Sequence, residues 1–544
     1  MTSKCVWKII FCGCFLLNFV ACAVMRNSEL FPLDIVHYND FHDRFEETSV
    51  EFPICSTNDT NCIGGFPRLY HEIKTLLREK PDALLLNAGD AFQGTYWFTL
   101  LKWNVTQHFL NMLPHDAYTL GNHEFDNGIK GLTPYLAALR APVVVANIDT
   151  SQEPSLDGLY TPSIVVKRKG RKIGIIGVIT PDTQTSSQTG KVIFKDPIVV
   201  VNEQAQLLTD AGVDIIIVLS HCGINVDLMI AKTAGKYVDV IVGGHSHSLL
   251  WNEDKAPSKE DIVGPYPVIV ESDSRRGHLV LVVTASAFSK YLGNITAYFN
   301  DEGDLVTFKG NPVFLNRSIP EDPEIKSLMQ PYTEELHKTV NEVVGRTVDN
   351  LADKPCGKGE CVLGNLIAES ILNAAKKHEP AQLPTVAFLN RNMIRGSISK
   401  GDVTRGAIIN ILPFGNEIVA YTIKGKYLLE ALNLCLSKAW VLKPFSGPWI
   451  PQVAGMKLVV NTTSQAVVSV MINTGDTYEP LKLDEDYRLV TPDFLVTTGN
   501  SFKMLKDNAR GIKAIGTDFK LLEEYVSKIS PVKTQLDNRL VTLT

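Results

Sequence analysis

The sequence predicts a two-domain α/β protein, and three observations carry that prediction. From about residue 31 to 300, short apolar runs rich in β-formers each end in a polar turn and lead into a helical stretch. Continuous apolar strands alternating with helices are the pattern of a layered α/β or α/β/α domain. Between 320 and 345 the period changes: Ile325, Leu328/Met329, Tyr332, Leu336, Val340 and Val343 recur at helical spacing, with Glu and Lys between them, as in a connecting helix. Beyond 346 strand-like runs resume and define a second domain, 346–544.

Taken in order, residues 1–23 read as a secretory targeting segment. Lys4 and Lys8 form a positive start before an apolar run from Ile9 to Val20, and Ala21-Cys22-Ala23 supplies a small-x-small cleavage signal. The run is short for a membrane span. The first domain, 24–319, has strand-like runs at Leu33–Tyr38, Ala83–Asn87, Val143–Ala146, Ile173–Val178, Ile215–Leu219 and Val238–Val242, with further strands at 279–283 and 291–299. In the connector, 320–345, Pro331 conflicts with an uninterrupted helix; either a helix begins there or a short one precedes it. The second domain shows strand-like runs at Val386–Leu389, Lys457–Val460 and Val467–Ile472. No apolar tail follows Asn538 to Thr544, so no membrane or lipid anchor is expected. The expected location is secreted and extracellular.

Composition bounds the function. With 45% hydrophobic and 21% charged residues the chain is ordinary globular material, which excludes disorder, collagen and small disulfide scaffolds. A net charge of −6 argues against a nucleic-acid partner. Any cation that handles an anion must act locally. In an oxidising compartment the close pairs Cys55/Cys62 and Cys356/Cys361 are expected to close two small loops. A zinc ribbon is the rival reading, against which the spacings are not C-x2-C. Cys222 and Cys435 are expected as buried free thiols, with a bridge between them as the alternative. Sequons at Asn58, Asn104, Asn294, Asn316 and Asn461 are candidate glycan acceptors.

Five polar clusters mark the chemistry: Asn39-Asp40-Phe41-His42, Gly89-Asp90, Gly121-Asn122-His123-Glu124-Phe125-Asp126, Ser220-His221 and Gly243-Gly244-His245-Ser246-His247. Each follows an apolar strand-like run. In an α/β sheet the residues just past the strand ends converge on one edge, where ligands bind. Asp, Asn and His delivered there from five strands are what a metal site requires. Imidazole, carboxylate and amide oxygen together suit Zn, Mn, Fe or Co better than Ca or a thiolate site. The donors outnumber the needs of one tetrahedral ion, whereas two ions sharing a carboxylate fit the count and could clamp a phosphoryl group and activate water.

These motifs, with the longer stretches Asn87 to Thr95 and Leu120 to Gly128, resemble the 5′-nucleotidase/apyrase branch of the metallophosphoesterases, and the likeness runs over nearly the whole chain. The resemblance implies an N-terminal four-layered α/β/β/α metal domain joined through a helix to a C-terminal α/β nucleotide-binding domain, two divalent metal ions, and domain rotation that brings substrate to them. Zinc-type ligation is favoured, without separating Zn, Mn, Ca and Mg. It implies that Asp40, His42 and Asp90 hold one ion, with His247 near it, and that Asp90, Asn122, His221 and His245 hold the other. It also implies that His123 and Asp126 act as a transition-state dyad, consistent with an imidazolium oriented by a carboxylate; the competing reading of Asp126 is a helix N-cap.

In the second domain the resemblance implies a substrate loop, Leu389 to Arg395, in which Arg395 forks onto phosphate and Asn390 hydrogen-bonds nearby. Phe414 and Phe494 would sandwich the base; by residue type alone both read as core. The chain departs from the family where Gly357 replaces an Arg, where Arg391-Asn392-Met393 replaces a Gly-Gly stretch, and where Asn500 replaces an Asp for the ribose. Asn500 keeps donor and acceptor but loses charge, and Arg391 offers a replacement cation. Lys400-Gly401-Asp402 resembles an integrin-binding tripeptide. The expected function is secreted hydrolysis of ATP and ADP, as in the salivary apyrases of blood-feeding arthropods, which remove platelet-activating ADP. AMP hydrolysis is the alternative reaction. A non-catalytic nucleotide- or integrin-binding antagonist is the alternative class.

Overall fold

Alternation along single strands builds the first domain in layers. In the computed structural model, which describes residues 30–49, 55, 61–258, 260–378, 383–436, 450–461, 463–497, 502–533 and 535–543, the strand Phe31–Tyr38 sends Leu33 and Ile35 into one apolar cluster and Val36 and Tyr38 into another. Leu84–Asn87 divides likewise, Leu84 and Leu86 against Leu85, because successive side chains of a strand point to opposite faces. The targeting segment, the Asn58 sequon and Asn500 lie outside the described residues.

The first sheet runs in the order 305–310, 291–299, 31–38, 84–87, 117–118, with the last three strands parallel and 291–299 antiparallel to 31–38. The second runs 268–271, 279–283, 240–243, 215–221, 171–179, 163–168, with a parallel centre. One cluster joins the two sheets and extends to helices Pro197–Asp210 and Ile224–Thr233. The other packs helices Phe66–Glu79, Trp103–Leu110 and Gly128–Ala138 onto the far face of the first sheet. The result is the expected α/β/β/α order.

Two local expectations are corrected. Val143–Ala146 forms no ladder strand: Val144 N–H donates to Tyr118 O, Val145 N–H to Thr161 O and Ala146 N–H to Gly177 O. The segment passes from the edge of one sheet to the other and pairs fully with neither. The connector is one helix, Pro323–Val340, running through Pro331. Asp322 caps it by accepting from Glu324 N and Ile325 N (both 3.0 Å). Pro331 and Ser327, whose carbonyl it orphans, both face solvent, so water can satisfy that carbonyl. Ile325, Met329, Leu336 and Val340 join the outer apolar cluster of the first domain, and Val340 also lies against Gly406 of the second. His337 Nε2 and Trp97 Nε1 meet the Glu46 carboxylate at 2.9 and 3.2 Å.

The second domain has a five-stranded sheet, 452–454, 385–389, 486–492, 417–424, 510–517, and a four-stranded one, 478–480, 466–473, 456–461, 540–543. Ala387, Leu389, Ile418 and Ala420 face helices Val362–His378 and Asp518–Ile529; Val386, Phe388, Val419 and Tyr421 face helix Gly425–Leu436. It docks on the first domain where Tyr96 N–H donates to Asn410 Oδ1 (2.8 Å) and the Thr99 hydroxyl to Pro413 O (2.8 Å). Cys55–Cys62 and Cys356–Cys361 are disulfide-bonded, and Cys222 and Cys435 are buried free thiols. No described helix is long and apolar enough to cross a membrane.

Removing Pro331 at its exposed position restores a helical hydrogen bond. Pro331→Ala is expected to raise stability by about 1–3 kcal/mol and Leu336→Ala to lower it by about 2–5 kcal/mol, both read from the urea unfolding midpoint.

Candidate metal centre

The parallel strands of both sheets end at one rim. Phe31–Tyr38 leads to Asp40 and His42, Leu84–Asn87 to Asp90, and Ala117–Tyr118 to the 3₁₀ turn Asn122–Phe125. From the second sheet, Ile215–His221 ends on His221 and Val240–Gly243 leads to His245 and His247. The turns are tight. Asp40, His42, Asp90, His245 and His247 all have φ between 50° and 72°, a left-handed conformation that non-glycine residues hold only where the surroundings over-determine it. Gly121 permits the closest approach, since a Cβ there would meet Asp90 Oδ1 at 2.1 Å.

The donors gather in overlapping groups. Asp40, His42 and His247 form one; His42, Asp90 and His123 a second; Asp90, His221 and His245 a third, with the potential ligand atoms of each group within 4.8 Å of one another. His42 Nε2 is 3.9 Å from Asp40 Oδ1 and 3.8 Å from Asp90 Oδ2, His247 Nε2 is 3.3 Å from Asp40 Oδ1, and His221 Nε2 is 3.0 Å from Asp90 Oδ2. Ligands about 2.1 Å from a shared tetrahedral ion stand about 3.4 Å apart, so this spacing fits a cation. The orientation fits too. His42 Nδ1 lies 3.0 and 3.1 Å from Phe92 O and Gln93 O, and His221 Nδ1 lies 2.6 Å from Ala88 O, leaving Nε2 of each to the site. Asn122 Oδ1 is buried with no hydrogen-bond partner among the described residues, as an amide oxygen kept for a cation would be.

His123 and Asp126 stand three residues apart across the 3₁₀ turn, where i and i+3 eclipse, and His123 Nδ1 lies 2.6 Å from Asp126 Oδ2. Asp126 is therefore a partner of His123, and Asn127 takes the N-cap position of the next helix. Burial disfavours the His123 cation, but Asp126 and Asp90 override it and raise its pKa. Burial also opposes ionisation of Asp90, yet His221, His123 and His42 hold its carboxyl well below the usual range. Against the same burial, Asp90 pushes His221 up to about 10.

From the second domain, Arg395 comes close enough for Asp90, Asp126 and Asp40 to support its charge, although burial lowers its pKa overall. Its guanidinium carbon stands 5.5 Å from the Phe414 ring centre, and Phe414 stacks on His123 (5.6 Å, 21°). Phe494 packs against both apolar clusters of its own domain. Asn390 is buried and its Oδ1 accepts from Asn392 N (3.0 Å). Arg391 lies beside Gly357, with Nε 3.6 Å from a Cβ built there. Its guanidinium donates to Asp353 Oδ2 and Ile394 O (both 2.9 Å), so it braces the loop. Asp402 pairs with Arg346 Nε (2.9 Å) on the strand Gly401–Thr404, just after Lys400. Among the sequons, Asn104 is exposed, Asn316 and Asn461 hold local turns through Oδ1, and Asn294 lies inside a central strand with Oδ1 accepting from Lys80 (2.8 Å), a poor place for a glycan.

Sequence reasoning missed Glu124 as a site residue. Buried under the rim, its carboxylate accepts from Asp90 N (3.1 Å), Ala91 N (2.7 Å), Gly121 N (2.6 Å) and the Tyr118 hydroxyl (2.7 Å). Its place three residues after Gly121, the spacing of a capping box, was the available signal.

Residues 33–249 match the calcineurin-like phosphoesterase family and residues 343–507 the 5′-nucleotidase C-terminal domain. An apyrase of Tabanus yao is 41% identical over 94% of this chain and 93% of its own length. The chain belongs to the 5′-nucleotidase/apyrase family of metallophosphoesterases. Human 5′-nucleotidase is 34% identical over 93% of this chain and 90% of its own length. The crystal structure of a 5′-nucleotidase precursor from Thermus thermophilus superposes with a TM-score of 0.85 at 32% identity, covering 94% of this chain and 99% of that one. The metallophosphoesterase fold implies divalent metal ions, and the donor set described above suits them.

Asp90 raises the His221 pKa to about 10, so a cation that binds at this imidazole competes with a proton. Metal uptake by the chelator-stripped chain is expected to release protons, with affinity rising as pH rises toward 10. Calorimetry in buffers of different ionisation enthalpy checks this; buffer-independent heats would contradict it.

Proposed function

We propose that this chain is a secreted, metal-dependent nucleotide phosphohydrolase acting on ATP and ADP, with AMP as the alternative substrate. The observation that carries the proposal is the convergence of Arg395 and Phe414, from the second domain, on His123 at the rim of the first. Relatives named apyrase in Tabanus yao and Anopheles gambiae, at 41% and 38% identity, favour the di- and triphosphates; relatives named 5′-nucleotidase keep AMP in view.

Asp40, His42, Asp90 and His247 would hold one divalent cation, and Asp90, Asn122, His221 and His245 a second, with Asp90 shared. When bound, such a pair supplies Lewis acidity to the phosphoryl oxygens. His123, oriented by Asp126, would donate from Nε2 to the transferring phosphoryl group as negative charge builds there. Arg395 would grip the phosphate in two parallel hydrogen bonds. Phe414 and Phe494 would offer ring faces to the base, with Asn390 and Asn500 as polar contacts. Removal of extracellular ADP would then oppose platelet aggregation.

Phosphate release from ATP, ADP and AMP with added metal tests the reading, and no release from any of them rejects it. His123→Ala is expected to lower kcat about 10²–10³-fold while metal content stays unchanged. Undiminished biological activity of that variant would instead support a non-catalytic nucleotide antagonist.

A further inference from the structure

The three imidazoles nearest the two carboxylates are not held in the same way. His42 and His221 are fixed through Nδ1 by backbone carbonyls. Among the described residues no hydrogen bond reaches Nδ1 of His247, although its Nε2 stands 3.3 Å from Asp40 Oδ1 and 3.2 Å from His42 Nε2. What touches the His247 ring is aromatic: Phe288 meets it edge-on (5.0 Å, 78°), and His42 does so at 5.1 Å and 67°. Phe288 also packs on His42 (5.4 Å), so one ring braces both histidines of the Asp40 group.

The loop that carries Phe288 is strained in order to place it. Ser286, Phe288 and Ser289 all have left-handed backbones (φ 56°, 65° and 53°), a cost that persists only when surrounding contacts enforce it. Those contacts run to the metal rim. Asn39 Nδ2 donates to Ser286 O (2.6 Å), Ala285 N–H to Asn39 Oδ1 (3.0 Å) and Phe288 N–H to Asp40 O (2.8 Å). The Ser286 hydroxyl donates to Glu260 Oε2 (2.9 Å). On the ring itself stand Arg44, 4.7 Å from the centroid, and Lys290 at 5.4 Å, both favourable placements for a cation over an aromatic face.

We infer that Phe288 is a positioning residue that fixes the His247 and His42 imidazoles for the cation position they share with Asp40. It replaces, for His247, the Nδ1 hydrogen bond that orients His42 and His221. The inference rests on the metal reading of the rim and adds to it a residue with no donor atom of its own.

The test is titration of the chelator-stripped full chain with Mn²⁺, following free ion by electron paramagnetic resonance, for wild type, Phe288→Ala, Phe288→Leu and Phe288→Tyr. Loss of an orienting neighbour typically costs about 10–100-fold in metal affinity. Phe288→Ala and Phe288→Leu are each expected to weaken one of two binding steps by about 10-fold or more, leaving the other unchanged, and Phe288→Tyr to restore it. Phe288→Leu keeps apolar volume in the loop and serves if Phe288→Ala does not fold. At limiting metal kcat should fall in the Ala and Leu variants; at saturating metal it should recover with KM for the nucleotide unchanged. Wild-type affinity for both ions in Phe288→Leu, or a loss that excess metal does not repair, overturns the inference and leaves the metal reading standing. A wild-type chain that takes up no pair of ions overturns both.

Discussion

Asp90 is the constraint on which the rest depends. Its carboxylate is buried between two sheets, and burial alone would keep it protonated. Three imidazoles, from three different strand ends, make the anion tolerable. Asp90, in return, raises the pKa of His221 to about 10. Such a buried anion among poised nitrogens is costly without a partner, and a divalent cation that displaces the proton resolves the arrangement. The packing of two parallel-centred sheets face to face explains the geometry, since only that layering ends both sets of strands at one rim.

Precision at the rim comes from the backbone. Five of the seven candidate ligands sit in left-handed turns, and the Glu124 carboxylate fastens the Asp90 and Gly121 turns from beneath through three backbone N–H groups. Hydrogen bonds from Nδ1 to carbonyls then set two of the imidazoles. The second domain completes the site without contributing to the metal group: its docking at Tyr96 and Thr99 carries Arg395 and Phe414 to His123. One face of the site therefore gathers carboxylate, amide and imidazole donors, and the other brings a guanidinium and an aromatic ring to His123.

Much of this was legible in the sequence, and the exceptions have physical causes. The strands were visible because they are buried on both faces and read as unbroken apolar runs, and the polar clusters were visible because they follow those runs directly. Val143–Ala146 has a strand's composition but divides its hydrogen bonds between two sheets, a tertiary fact that composition does not encode. Pro331 reads as a break because a helix-interior proline is costly; on a solvent face water can satisfy the orphaned carbonyl, which lowers that cost enough for the helix to run on. Glu124, named only as part of its cluster, and Phe288 carried no visible role for a shared reason: neither would touch the metal, and both act by holding what would.

Anomalous diffraction from crystals of the full chain grown with Mn²⁺ tests the central claim most directly. Two peaks are expected at the rim, one among Asp40, His42, His247 and Asp90, the other among Asp90, Asn122, His221 and His245, with the Asp90 carboxylate touching both. A single peak that leaves Asp90 uncoordinated, or no peak at this rim, would contradict it.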